Sequence, residues 1–257
     1  DPQMGGRRCS PKFPMPNNWQ YLMYYAQRYN NKEAASIVTT TLDKMMMGGI
    51  YDQLEGGFAR YSTDSLWLVP HFEKMLYDNA QLISVYSHAY QLTGNEFFKK
   101  IVEETCGFVQ RELSNSNGGY SSSVNADTDD EEGKFYTWTA AEAKAVFPDS
   151  YKLISGYYNL TEKGNWKPNR NVLYASVTPV QYAGAQNIDI VEFSKLLGEA
   201  KNAFMAERNK RIKPTVDDKV LTSWNALLIT GFLDAFAGVG VNNILQKAVS
   251  RAGFIEE

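Results

Sequence analysis

With 257 residues and 29.0 kDa, the chain is long enough for one large domain or two small ones, with ample apolar core. A net charge of −3, 44% hydrophobic and 21% charged residues is ordinary for a soluble globular protein and gives no electrostatic reason to expect nucleic acid or an anionic membrane. Two cysteines without CxxC or zinc-ligand spacing, and only two histidines, exclude a disulfide scaffold and a histidine-rich metal site. They suit a reducing compartment such as the cytoplasm.

Residues 1–18 read as an extended lead-in, because Gly5-Gly6 and Pro11, Pro14 and Pro16 disfavour helix. The opening Asp1-Pro2-Gln3-Met4 reads as a cut edge rather than a natural start. Asn17-Asn18 then cap a first helix carrying Trp19, Leu22, Met23, Ala26 and Tyr29 at spacings of three and four. A second helix covers 33–47 and stops at Gly48-Gly49, before a polar and aromatic loop over 50–70. The next helix pair is 72–92 and 96–113, turning at Gly94. Gly118-Gly119 precede a second polar loop (121–133) and a short strand over 135–138. A helix from Ala140 follows, with Thr139 and Glu142 as a capping box. Residues 151–187 are mixed, with short strands near 172–176. An amphipathic helix spans 190–208, and a last helix pair fills 221–255. The most apolar run, 226–241, contains Asp234 and is too short to span a bilayer.

Residues 75–109 lie on 221–255 at a constant offset of 146, without a gap. Asn79-Ala80 fall on Asn225-Ala226, Leu82-Ile83 on Leu228-Ile229, Gly94 on Gly240 and Gly107-Phe108 on Gly253-Phe254. Each copy reads helix, glycine turn, helix. The expected class is therefore all-α, built from stacked helical hairpins with chemistry in the loops at one end. The offset carries Gly118 to roughly position 264, past the last residue, so the chain reads as part of a longer hairpin array.

Three polar groups are candidates for chemistry. The first runs from Tyr51-Asp52-Gln53 through Arg60, Tyr61 and Trp67 to His71, Glu73, Lys74, Tyr77, Asp78 and Asn79 at a helix start. Free N–H groups there suit an oxyanion or a sugar hydroxyl. Asp78 is the candidate general base and Glu73 the candidate general acid, with His71 beside them. The plain alternative has equal standing: acids stabilise a first helical turn, Lys74 and Asp78 form an i,i+4 pair, and a lone histidine is usually structural. The second group, 125–133, supplies Asp127. It lacks the glycine and twelfth-place glutamate of a calcium loop and reads as a solvated acidic turn, so no metal is expected. The third is Asp217-Asp218-Lys219 with Trp224-Asn225, which the repeat lays on Asp78-Asn79. Matched polar groups at two helix starts suggest one shared cavity. Tyr136 and Trp138 join the candidate binding set, although buried aromatics usually fill cores.

Taken together, Gly48-Gly49-Ile50-Tyr51-Asp52-Gln53, Gly57-Phe58, Arg60-Tyr61-Ser62, Trp67 and the run PHFEKMLYDN over 70–79 resemble the spermatogenesis-associated, thioredoxin-domain-containing protein family. Pro11-Lys12-Phe13-Pro14, Glu132-Gly133-Lys134-Phe135-Tyr136 with Trp138, and Asp217-Asp218-Lys219 with Trp224-Asn225 extend the resemblance over nearly the whole chain. It implies an α/α toroid similar to N-acylglucosamine 2-epimerase and the six-hairpin glycosidases, here a single incomplete domain over 1–257 with short β-hairpins in its loops. It also implies a carbohydrate-type cavity at the loop rim and a thioredoxin-like domain as partner in full-length relatives, absent from this chain; separately, no cofactor is expected. Three positions depart from the family pattern: Ala59 stands where His is usual, Asn125 where Asp is usual, and Glu55 in place of glycine. Two functions are therefore carried forward. One is a carbohydrate-binding or carbohydrate-active module, epimerase/isomerase-like or hydrolase-like. The other is a non-catalytic scaffold or ligand-binding domain. The shared cavity requires Asp78 and Asn225 at the same end of the molecule.

Overall fold

Helices carry the architecture of this chain, whose computed structural model describes residues 1–256. They are α1 (Pro16–Tyr29), α2 (Lys32–Met47), α3 (Leu76–Thr93), α4 (Glu96–Glu112), α5 (Ala140–Val146), α6 (Tyr151–Tyr157), α7 (Pro179–Gln186), α8 (Ile190–Arg208), α9 (Thr222–Val239) and α10 (Asn242–Glu256). Among the described residues, none of them is long and apolar enough to cross a membrane. Local chemistry explains their ends. The side chains of Asn31, Asn95 and Asp189 accept the first free N–H groups of α2, α4 and α8, and Thr139 and Glu142 form the capping box of α5. Gly94 and Gly240, matched by the repeat, close α3 and α9 at φ 67° and 79°, a left-handed conformation that a side chain disfavours.

Four expectations are corrected. The first helix is not capped by Asn17-Asn18: it begins at Pro16, whose fixed φ suits a first turn, so the lead-in ends at Met15. The third helix begins at Leu76 rather than at 72, because Phe72 sits at φ 61° and Lys74–Met75 are drawn into a strand. α2 does stop at Gly48, with φ −71° rather than a left-handed cap. A Cβ on Gly48 or Gly49 would lie 2.3 and 2.0 Å from the carbonyl oxygens of Trp67 and Leu68, so close backbone approach requires both glycines. Residues 135–138 are not a strand. Tyr136 and Thr137 donate to the Gly133 carbonyl as a turn, so their N–H groups are spent locally rather than on a neighbouring strand. The 172–176 segment is likewise irregular, with Trp138 bridging to Asn171 just before it.

The strands that do form are two residues each. β1 (Lys74–Met75), β2 (Ser123–Val124) and β5 (Val216–Asp217) make an antiparallel sheet in the order β1-β2-β5, with Lys74 opposite Val124 and Ser123 opposite Asp217. β3 (Asp127–Thr128) and β4 (Glu131–Glu132) form a hairpin turning through Asp129-Asp130, both at positive φ as tight hairpin turns demand.

α3 and α9, equivalent in the repeat, pack directly on each other. A Cβ on Gly231 would lie 2.5 Å from the Ala80 carbonyl oxygen. One core joins α1–α4 with α9 and α10 around Leu42, Leu76, Tyr86, Phe108 and Phe232. A second core, around Trp138, Ile154, Phe193 and Phe204, belongs to α5–α8. The long repeat offset is thereby explained: α5–α8 are a separately cored excursion between two neighbouring hairpins.

Candidate functional site

The sheet β1-β2-β5 ties the residues just before α3 and α9 to the loop after α4, so both helix starts lie at one end. Two asparagines complete the tie. Asn79 accepts from the Phe58 N–H (2.7 Å) and donates to its carbonyl (3.0 Å), while Asn225 does the same to Tyr120 (2.8 and 3.0 Å). The Tyr77 and Trp224 rings then meet edge to face, 4.8 Å between centroids.

Asp78 lies beside this ring pair. It is buried, and its Oδ2 has no hydrogen-bond partner among the described residues. Burial pushes its carboxyl up to about 7, against the Tyr77 hydroxyl and the Arg60 guanidinium, with Glu73 adding a smaller upward push. Arg60 pairs with Glu73 at 3.3 Å, and the two are also joined by a backbone bond of 2.8 Å. Arg60, Glu73, Tyr77, Asp78 and Trp224 therefore converge. A satellite group lies along the same loops: Tyr61 stacks on His71 (4.8 Å), whose Nδ1 meets Glu132 at 3.0 Å, and Glu132 is the strand partner of exposed Asp127.

A second cluster is built of buried charges. Arg208 grips Asp52 with both terminal nitrogens (3.1 and 3.0 Å) and reaches Glu55 at 3.0 Å. Lys74 donates to Asp52 (2.8 Å) and to the Gly56 carbonyl (3.0 Å), with its ammonium 4.4 Å from the Phe108 ring centre. Burial would raise the Asp52 carboxyl, yet Arg208 and then Lys74 hold it well below the usual carboxylate range. For Glu55 burial wins and its carboxyl is pushed up. The neighbouring cavity, lined by Asp52, Phe72, Lys74, Tyr136 and Arg208, is about 30 Å³, the size of a water rather than a sugar.

Several candidates lie elsewhere or are already engaged. Asn79 and Asn225 are spent on backbone bonds. Gln53 donates to the Met46 and Gly48 carbonyls (2.9 and 3.0 Å). Trp67 is fully buried, donates to the Met4 carbonyl (2.8 Å) and carries Lys12 over its ring; Trp138 is fully buried in the second core against Phe204. Tyr136 stacks on Phe72 above the charge cluster, its hydroxyl pKa raised by burial. Asp218 and Lys219 are exposed, Lys219 pairing with Asp217 at 2.9 Å. Lys74, expected beside Asp78, instead pairs with Asp52, and Arg208 is a member of this cluster that the sequence reading missed. A usable signal existed for Arg208: it follows Phe204 by four and Ala200 by eight, so it continues the buried face of α8.

These residues define a helical-hairpin protein with a polar and aromatic cluster where its loops converge. No family model matches the chain. It is 34% identical over 285 residues to spermatogenesis-associated protein 20 of Homo sapiens and 33% identical to that of Mus musculus, each match taking in 100% of this chain. The chain is a homologue of these proteins and spans 36% of their length. Among solved structures it is similar to a sugar epimerase from a ruminal bacterium (14% identity, 100% of this chain and 65% of that one, TM-score 0.43). It is also similar to cellobiose 2-epimerase from Bacillus thermoamylovorans (10% identity, 100% and 81%, TM-score 0.42).

Proposed function

We propose that the loop end of α3 and α9 binds a carbohydrate and that Asp78 exchanges a proton with it. The observation that carries this reading is Asp78 itself: a buried carboxyl, pushed up to about 7, with one oxygen left without a partner. A group titrating near neutrality both accepts and returns a proton efficiently. The Trp224 and Tyr77 rings offer apolar faces to the C–H side of a sugar, and Arg60 and Glu73 offer donors and acceptors to its hydroxyls. In an isomerase-like step Asp78 takes the proton from the carbon beside the sugar carbonyl. The electron pair moves onto the carbonyl oxygen near the Arg60 guanidinium; Asp78 then gives the proton to the former carbonyl carbon, while the neighbouring hydroxyl passes its proton to the new alkoxide and its oxygen becomes the carbonyl. A two-carboxylate hydrolytic step fits less well, because Glu73 is held by Arg60.

The reading is tested by titrating mono- and disaccharides while following Trp fluorescence, and by watching exchange of the C2 proton in D2O. Saturable binding that the Trp224→Phe variant loses, with exchange that the Asp78→Asn variant loses, supports it. No saturable response to any sugar sinks it. The alternative, a non-catalytic ligand-binding or scaffold domain, is favoured by two positions. Ala59 is buried and has no titratable group, and Asn125 is exposed with its amide on Thr215. On that reading sugar binds without any proton exchange.

A further inference from the structure

The geometry points to a second ligand site, one that takes a small amphiphilic carboxylate, in the cleft where the two cores meet. A cavity of about 280 Å³ opens between α4 on one side and the first turns of α7 and α8 on the other, floored by the end of α2. It shares no residue with the Asp78 cluster. Met46, Met47, Ile101 and Leu197 give it an apolar lining, and methionine adapts its shape to whatever fills the space.

The polar groups of the cleft set the charge of its ligand. Glu104 accepts the Tyr51 hydroxyl at one oxygen and the Lys201 ammonium at the other, both at 2.5 Å. Burial and then the Glu104 charge push the Tyr51 phenol well up, so it stays a donor. Glu104 and Lys201 therefore neutralise each other, and exposed Lys100, without an ion-pair partner within 4 Å among the described residues, is the remaining cation of the lining. An apolar slot with one net positive charge at its edge suits a single anionic head on a hydrocarbon tail.

Gly198 marks the way in. It lies in the interior of α8, where glycine costs about 1 kcal/mol relative to alanine. It lines the cleft, and a Cβ added there would meet no atom within 4 Å. Neither a tight turn nor helix packing requires it. The space beside it is open, so a large side chain there would fill the cleft.

The experiment uses the chain labelled with 13C at its eight methionine methyls and titrated with decanoate. The expected result is a saturable shift confined to Met46 and Met47, kept in Gly198→Ala and lost in Gly198→Phe. Lys100→Glu weakens decanoate about threefold to fivefold, the scale of an exposed ion pair. Neutral decanol binds more weakly than decanoate. Shifts spread over all eight methionines, no saturation, or unchanged binding by Gly198→Phe overturns the proposal. Should Gly198→Phe not fold, Lys100→Glu and the decanol comparison decide: equal affinity across either pair overturns the anionic ligand. Asp78→Asn binds decanoate like the parent chain, so failure here is separate from failure of the carbohydrate reading.

Discussion

Asn79 and Asn225, at matching places in two helices, make the same three bonds. Each amide accepts from and donates to the backbone of one loop residue, Phe58 or Tyr120, and donates again to the carbonyl four residues earlier, Met75 or Leu221. Asn165 clamps Val172 through the first two of these bonds, outside the repeat. Only an amide presents a donor and an acceptor side by side to a peptide unit.

Asn79→Ala strips partners from a buried N–H and a buried carbonyl. Loss of stability by about 3 kcal/mol is expected, from the cost of unpaired buried groups. Asn225→Ala acts in the same direction. Urea unfolding checks this: a midpoint unchanged from the parent would show that the loops do not depend on these clamps.

Asp78→Asn is expected to stabilise the protein at pH 8. The folded-state carboxyl, near 7, lies above its unfolded value near 4, so the unfolded chain gives up this proton first. Stability from this group is complete below pH 4 and is lost as pH rises to 7. The variant removes that loss, a gain of about 2–4 kcal/mol at pH 8 that closes toward pH 4. Thermal melts across that range decide it; a constant difference would mean that Asp78 titrates normally.

Arg208→Met leaves Asp52 and Glu55 buried with Lys74 as the nearest cation. Breaking a buried pair from one side costs about 3–5 kcal/mol. Asp52→Asn should recover part of this loss when added to Arg208→Met, and the double-mutant cycle measures the coupling. Because the Asp52 carboxyl is depressed, its contribution is present above pH 4 and fades only as pH falls below that. Additive single-variant losses would separate the two residues.

His88 and Asp234 pair across α3 and α9 at 3.4 Å. The hydrogen bond with Asp234 raises His88 above its ordinary value despite burial. Its contribution is therefore full below about pH 6.5 and is lost as pH rises through the higher folded value. His88→Gln should remove this slope between pH 6 and 8 in chemical denaturation. An identical slope in the variant would assign it to another group.

The legible parts of this fold were those written in local spacing. The Gly94–Gly240 repeat located two hairpins, the Thr139–Glu142 box located α5, and the apolar periodicity of 190–208 matched α8 end to end. The three-stranded sheet was not legible, because residues 74, 124 and 216 pair through register set by distant segments. Trp67 stood in a polar loop and Trp138 in an expected short strand just after one, and both joined the candidate binding set. Those segments fold inward, and both rings are fully buried. Glu73, Tyr77, Asp78 and Trp224 stood out because a helix start concentrates such groups, whereas Arg60 entered through the loop before α3. Their meeting depended on α9 returning beside α3.

That return shapes how the molecule assembles. The α3 surface facing Gly231 and Phe232 has no cover until the ribosome has made residues far downstream, after α5–α8 have emerged. Early collapse of α1–α4 therefore leaves a greasy flank waiting for a distant mate, a slow, long-range closure exposed to aggregation. Nascent chains halted before α9 should bind chaperones more avidly than chains released after α10.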